Sequence, residues 1–577
     1  MNRSIVFLLV VIIAAAGGYY LYDKTRPDTQ TVLVPAPDLA PPGANLIDGL
    51  GSYRLRAVGD NPELQKWFDQ GLMLAYGFNH EAAERSFLKA TELDPQCAMC
   101  WWGAALVLGP HVNASMDPNN NAKAWDRAQK AMTLAKNASA ADQAYIQALT
   151  ARYAQSPPQD RAPLDQAYAE AMGEVVRQFP EDLDAATLHA EALMDLQPWN
   201  YWDARQQPKG NILKIVSQLE SVLARNADHP GALHLYIHAV EASSAPQRGA
   251  DAADRLRALV PGSGHLVHMP SHIYTRVGRY NDAVLANQKA IAADDAYLAI
   301  CRPAPGNYPL GYVPHNHHFL WWASSMQGAS VMALAAAEET AKRTWLPELM
   351  RLPEMIFLQD YWITPLKAKV QFARWDELLA TPAPPADMEY PSAMWHFAQG
   401  MARAHTGEAQ KAQQHLEQLA KVAADPKFEQ MLIGPQHPLS ATLRISERVL
   451  AGTIAKSAKN YPAAIKALQE GVKLEDAVAY YEPPLWHEPV RVRLGAVLLA
   501  ARMPAAAEAV FKEDLMRNPE NGYALYGLQQ SLVAMNRQGE ARKVGERFKR
   551  AWAHADINLA AKEQTHHPRM TNQVMRR

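Results

Sequence analysis

Seven histidines and one glutamate in the middle of the chain have the residue types and spacing to do chemistry. His234, His238 and Glu241 lie in HLYIHAVEASS, His265, His268 and His272 in GHLVHMPSHIYT, and His315 and His318 in PHNHHFLWW. Residues three, four and seven apart share one face of a helix, so each stretch presents its imidazoles on one side. Two imidazoles at i and i+4 share a divalent metal, and a second helix about 10 Å away supplies the rest of a three- or four-nitrogen shell. Shells rich in nitrogen and poor in oxygen favour copper or zinc over magnesium or calcium. Glu241 then serves as a further ligand, as an acceptor that fixes a histidine tautomer, or as a general base on metal-bound water. The spacing is not the HExxH pattern of metalloproteases. A metal-dependent oxidase or hydrolase therefore stands as an alternative, and so does a groove that uses the same imidazoles to hold a peptide carboxylate or phosphate without any metal.

The interval from His234 to His268 and that from His238 to His272 are both 34 residues, which asks what elements repeat at that period. From Asn61 onward the chain is rich in Ala, Leu, Glu, Gln and Lys at helical spacing, with almost no alternating β-branched runs, so it reads as all-α. Glu63 to Pro95 reads as two amphipathic helices split near Phe78 and Asn79 and stopped by Asp-Pro. That segment resembles the tetratricopeptide (TPR) motif through Gly71, Ala83, Phe87, Ala90 and Pro95. Gly495, Ala507, Phe511 and Pro519 repeat the pattern near the C-terminus, with Ala541 lying 34 residues beyond Ala507. Weaker copies surround Gly278, Tyr280 and Ala283; Gly400, Gly407 and Ala412; and Tyr461 and Ala464, so the match covers most of residues 61–555.

The resemblance implies a right-handed helical solenoid in which the first helix of each repeat lines a concave groove that takes a peptide or protein partner. In the register of that family, His234, His238 and Glu241 take groove positions 5, 9 and 12, and His265, His268 and His272 take 2, 5 and 9. His234 is then expected beside His268, and His238 beside His272. His315 and His318 continue the row at 2 and 5, Trp322 and Glu191 occupy position 9 of their repeats, and His317 turns toward a neighbouring helix. Tryptophans 101, 102, 199, 202, 321 and 322 read as solenoid core, with ligand stacking as the alternative.

A second candidate site is Cys97 and Cys100 with His111. Trp101 follows Cys100, so a covalent haem attachment, which needs CxxCH, does not fit. Three readings stay open: a local disulfide, a thiolate site with His111 suited to Cu(I) or zinc, and buried thiols. The chain has only three cysteines, the third being Cys301, so its fold rests on a core and not on a disulfide framework.

The remaining segments set location and boundaries. Residues 1–24 hold an apolar run that reads as a transmembrane anchor or a signal segment, followed by a Pro-rich linker over 25–60. The body is then expected in the periplasm or outside the cell, tethered to the inner membrane or secreted after cleavage. N-terminal repeats are expected over 61–205, His-rich repeats over 206–345 with a flap-like insert at 296–316, central repeats over 346–475, C-terminal repeats over 476–555 and a polar tail over 556–577. With 57 basic against 59 acidic residues, the chain lacks the charge excess of a nucleic-acid binder.

Overall fold

The computed structural model describes residues 44–560, which form a succession of antiparallel helix pairs. The first pair, Pro62–Tyr76 and His80–Leu93, shows the local logic. Asn61 caps the first helix by accepting the N–H of Glu63, Pro62 starts it, and Asn79 caps the second through the N–H of Ala82. Phe87 of the second helix then fills space that glycine leaves on both flanking first helices. A Cβ on Gly71 would lie 2.8 Å from its ring, and one on Gly103 only 2.4 Å away. Phe511 sits in the same way between Gly495 and Gly527, where a Cβ would come within 2.4 and 2.1 Å of the ring. The recurring glycine and phenylalanine thus fix how each second helix seats between two first helices, as the repeat resemblance implies.

Most of the apolar core runs in two stretches, one from Leu50 to Phe372 and one from Ile356 to Ala541, with a small third cluster of Met350, Leu358 and Met388. Helix Thr364–Gln371 belongs to both, with Ala368 in the first and Val370 in the second. The chain also closes on itself. Helix Pro230–Val240 packs against Pro62–Tyr76, and the indole of Trp322 donates to the carbonyl of His487 at 3.1 Å. The groove side of the histidine helices is therefore covered by distant parts of the same chain. A short antiparallel pair, Leu432–Gly434 with His437–Pro438, is the one departure from helix among the described residues that forms a sheet.

Several boundaries differ from expectation. The anchor or signal segment and the linker up to residue 43 lie outside the described residues, as do residues 561–577 of the tail. Among the described residues no helix is long and apolar enough to cross a membrane. From Ala44 the linker is a packed strap: Leu50 is buried, the N–H of Gly262 donates to the carbonyl of Gly49 at 2.8 Å, and the Tyr53 hydroxyl donates to Asp184 at 2.8 Å. Arg56, placed between Asp142 and Asp182, pins it to two further helices. In the insert, helix Tyr280–Cys301 runs through the first residues and Tyr308–Tyr312 forms a π-turn feeding helix Val313–Met326. Buried Asp294 holds that turn, accepting from the Tyr308 hydroxyl at 2.8 Å and the Asn316 amide at 2.7 Å.

Candidate metal centre

Helix Pro230–Val240 carries His234 and His238 one turn apart, with Glu241 at its C-terminal end. His229 caps it, its ring accepting the N–H of Ala232, so this histidine has a structural role. The next groove helix is interrupted in its hydrogen bonding: Gly264–His268 and Pro270–Arg276 join at Met269, which keeps helical backbone angles, while Pro270 has no N–H to continue the ladder. His315 stands on Val313–Met326.

The histidines that meet are not all those expected from the repeat register. His234 faces His265, with their Nε2 atoms 3.1 Å apart, in place of the expected His268. His238 and His272 lie side by side, ring centroids 5.8 Å apart. The result is two sets of three imidazoles. In His234, His238 and His265 the ligand nitrogens all lie within 4.8 Å of one another, and the same holds for His268, His272 and His315. Within the second set, the Nε2 atoms of His268 and His272 are 2.8 Å apart.

Four of the six rings are oriented from behind, whereas His265 Nδ1 has no hydrogen-bond partner and His315 Nδ1 meets only the Tyr361 hydroxyl, at 3.5 Å. His234 Nδ1 lies 2.6 Å from the carbonyl oxygen of Tyr76, which can only accept, so Nδ1 carries the hydrogen and Nε2 presents a lone pair inward. His238 Nδ1 donates to Glu241 Oε1 at 2.9 Å, leaving a buried Nε2 with no hydrogen-bond partner. His268 Nδ1 donates at 2.7 Å to Asn287 Oδ1, whose acceptor role is set because the Asn287 amide donates to the carbonyl of Ala283. His272 Nδ1 lies 2.5 Å from Glu241 Oε2 and 2.6 Å from a Glu482 oxygen. Acceptors behind Nδ1 and inward Nε2 atoms are what orient metal-binding histidines. Phe78 lies against His234 and His265 of the first set, and Phe319 against all three rings of the second, so each set has an apolar neighbour that limits water.

Burial holds His234, His265, His268 and His315 well below the ordinary histidine range, each helped by neighbouring imidazoles, so these rings are neutral and able to ligate. Burial likewise lowers His238, although Glu241 pulls the other way. His272 is the exception: burial lowers it, but the carboxylates of Glu241 and Glu482 outweigh burial and raise it to about 10. It must lose a proton to accept a metal. Burial raises Glu241 too, and the imidazoles of His272 and His238 reverse that, bringing it down to about 2.

The other expected site residues are placed elsewhere. His318 is in neither set; its ring lies 5.0 Å from Trp321 and 5.0 Å from Tyr361, and neither ring nitrogen has a hydrogen-bond partner. Three residues from His315 it is rotated off the inner face, where Phe319, four residues on, takes the place. Cys97 and Cys100 are joined in a disulfide, so their sulfurs do not form a thiolate site with His111. His111 stacks on Phe78 at 4.4 Å and lies 4.4 Å from the ring of His80. Glu191 is half-buried with Arg152 as its charged neighbour, and Trp199 stands edge-on to His238 at 5.3 Å.

Sequence reasoning missed Glu482, Phe78, Phe319, Tyr76 and Asn287. Glu482 comes from YYEPPLW, a loop more than 200 residues away in sequence, and no periodicity joins it to His272. A cavity of about 230 Å³ opens onto His265, His272 and His315.

No family model matches the chain, and no curated protein does so. Solved structures similar to it include the APC/C hetero-tetramer Cut9–Hcn1, at 13% identity over 87% of this chain and 95% of that one, with a TM-score of 0.28. Human IFIT1, as a dimer with m7Gppp-AAAA, gives 13% identity over 85% and 91% with a TM-score of 0.31. Yeast Tom70 gives 12% over 88% and 93% with a TM-score of 0.24. Likeness at this level bears on neither ligand nor partner.

Proposed function

We propose that this helical-repeat protein binds divalent or monovalent copper, or zinc, in its two three-histidine sets, one ion in each. The observation that carries the reading is the pairing of inward Nε2 atoms, at 3.1 Å between His234 and His265 and 2.8 Å between His268 and His272. Nitrogens at that distance share a proton or a metal ion: without metal an N–H of one ring can bridge each pair, as on His272, and a metal ion would take the place of that proton. All-nitrogen sets exclude the hard, oxygen-seeking cations. Glu241, behind His238 in one set and His272 in the other, would tie the two ions' affinities together.

The peptide-scaffold alternative requires an open groove beside the histidines. The reach of Glu482 to His272, with Tyr480 alongside, favours a small ligand there and leaves any protein partner to the outer surfaces. An anchor in residues 1–24 with the body in the periplasm is the proposed location, and the Cys97–Cys100 disulfide fits an oxidising compartment. Membrane fractionation and mass analysis of the mature N-terminus test it.

The test of the metal reading is elemental analysis of protein purified without a histidine tag and exposed to copper or zinc. Two ions per chain are expected, falling to one in His234→Ala and in His268→Ala. Failure to take up either metal, with helical content intact, would overturn it.

A further inference from the structure

The cavity beside the histidines has a composition that a metal site alone does not explain. It holds about 230 Å³ and touches His265 of one set and His272 and His315 of the other. Six aromatic side chains line it: Trp199, Tyr312, Phe357, Tyr361, Tyr480 and Tyr481. They come from well-separated stretches of chain, among them the loop holding Trp199, the π-turn, helix Phe357–Trp362 and the loop holding Tyr480 and Tyr481. Flat walls of this kind receive a flat ring, by offset or edge-on stacking. A cavity of roughly 150 Å³ suffices for benzene, so this one has room for a ring and polar substituents.

His437 supplies a second, independent pointer. It lines the cavity, is only 4% exposed, and its Nδ1 has no hydrogen-bond partner. Its Nε2 lies 3.2 and 3.1 Å from the carbonyl oxygens of Ala479 and Tyr480, which can only accept, so Nε2 carries the hydrogen and Nδ1 is left as an acceptor. Gly434 lies beside this nitrogen, and a Cβ there would crowd it at 3.1 Å and the Tyr481 ring at 2.8 Å. A buried acceptor without a partner is costly, and an O–H donor on a ligand would satisfy it.

We propose that the cavity binds a small hydroxylated aromatic molecule of the phenol or catechol class, its ring among the tyrosines, one hydroxyl donating to His437 Nδ1 and one oxygen facing His272 and His315. The inference rests on the metal reading for that last contact alone. No bond is made or broken; binding is the whole claim.

The probe is 4-nitrocatechol, whose absorption moves on deprotonation or metal coordination, titrated into zinc-loaded and metal-free protein. Cyclohexane-1,2-diol, with the same oxygens and no aromatic ring, serves as competitor. Saturable binding of one probe per chain is expected, with no displacement by the diol. His437→Ala and, separately, Tyr481→Leu should each weaken it tenfold or more while metal content and helical content stay unchanged. A protein that holds its metal but does not bind the probe, or binds it equally well in both variants, overturns the inference and leaves the metal reading standing. Probe binding that depends on His437 in a protein that takes up no metal supports the cavity assignment and sinks the metal reading instead.

Discussion

His272 Nδ1 lies 2.5 Å from Glu241 Oε2, while the other oxygen of the same carboxylate accepts from His238 Nδ1 at 2.9 Å. One buried side chain thus orients a histidine in each set, and the sets are coupled through it. Glu241→Gln keeps the shape but replaces one acceptor by an NH2 group that cannot accept from a ring N–H. His238 then loses the acceptor behind its Nδ1, or His272 loses one of its two and keeps Glu482. Metal affinity is expected to fall about 10- to 100-fold, the usual effect of losing such a partner. Competition against a chromophoric chelator measures it, and two unaltered affinities would show that Glu241 plays no orienting part.

Asp556 caps a helix that its own sequence leaves uncapped. Helix Ser330–Thr344 begins after Ala329, which has no side-chain acceptor, and the Asp556 carboxylate accepts from the N–H groups of Ser330 at 2.7 Å and Val331 at 2.9 Å. Asp556→Ala should cost about 1 kcal/mol, the typical value of an N-cap. Asp556→Asn should retain part of that, since its single amide oxygen accepts from only one of the two N–H groups. Chemical denaturation compares the three proteins, and an alanine variant as stable as the parent refutes the capping role.

The sequence disclosed repeat structure where local packing repeats. Gly71, Phe87 and Gly103 recur as Gly495, Phe511 and Gly527 because each triplet solves the same contact between successive helices, and a repeated contact leaves a repeated pattern. The two groove histidine rows were legible for the same reason. The partition into two sets was not, because it depends on which side each ring leans, and a repeat register does not encode that. Glu482, His437 and the strap around Tyr53 were invisible: they reach the body through loops whose positions follow from closure of the whole chain, which no local period encodes.

Gly264 opens the histidine helix Gly264–His268 and faces Asp294 of helix Tyr280–Cys301. A Cβ there would lie 1.9 Å from Asp294 Oδ1. That carboxyl is fully buried and held by Tyr308 and Asn316, so it cannot retreat without breaking those bonds. Gly264→Ala is therefore expected to destabilise the fold by about 1–3 kcal/mol, the range for overfilling a packed interior. Denaturation of metal-stripped protein isolates this from any effect on ligation at His265, and a variant within error of the parent would mean that the helices part easily.

Glu475 gives the molecule a pH dependence that is separable from its histidines. Burial, with the charges of Asp514 and Asp476 adding to it, pushes its carboxyl from an ordinary 4.5 up to about 8, even though the N–H of Val490 donates to it at 3.1 Å. The folded protein keeps this proton at pH values where the unfolded chain has lost it. The folded state then binds more protons than the unfolded one, so this group's contribution to stability falls as pH rises between about 4.5 and 8 and is level beyond those limits. Glu475→Gln stays neutral throughout and still offers an oxygen to Val490. Its stability relative to the parent should therefore improve steadily from pH 5 to pH 8, with the two proteins closest at the acid end. Denaturant midpoints of the metal-stripped pair at several pH values measure the difference, in which the histidine titrations common to both cancel. A gap that does not change with pH would show that Glu475 ionises freely in the folded state.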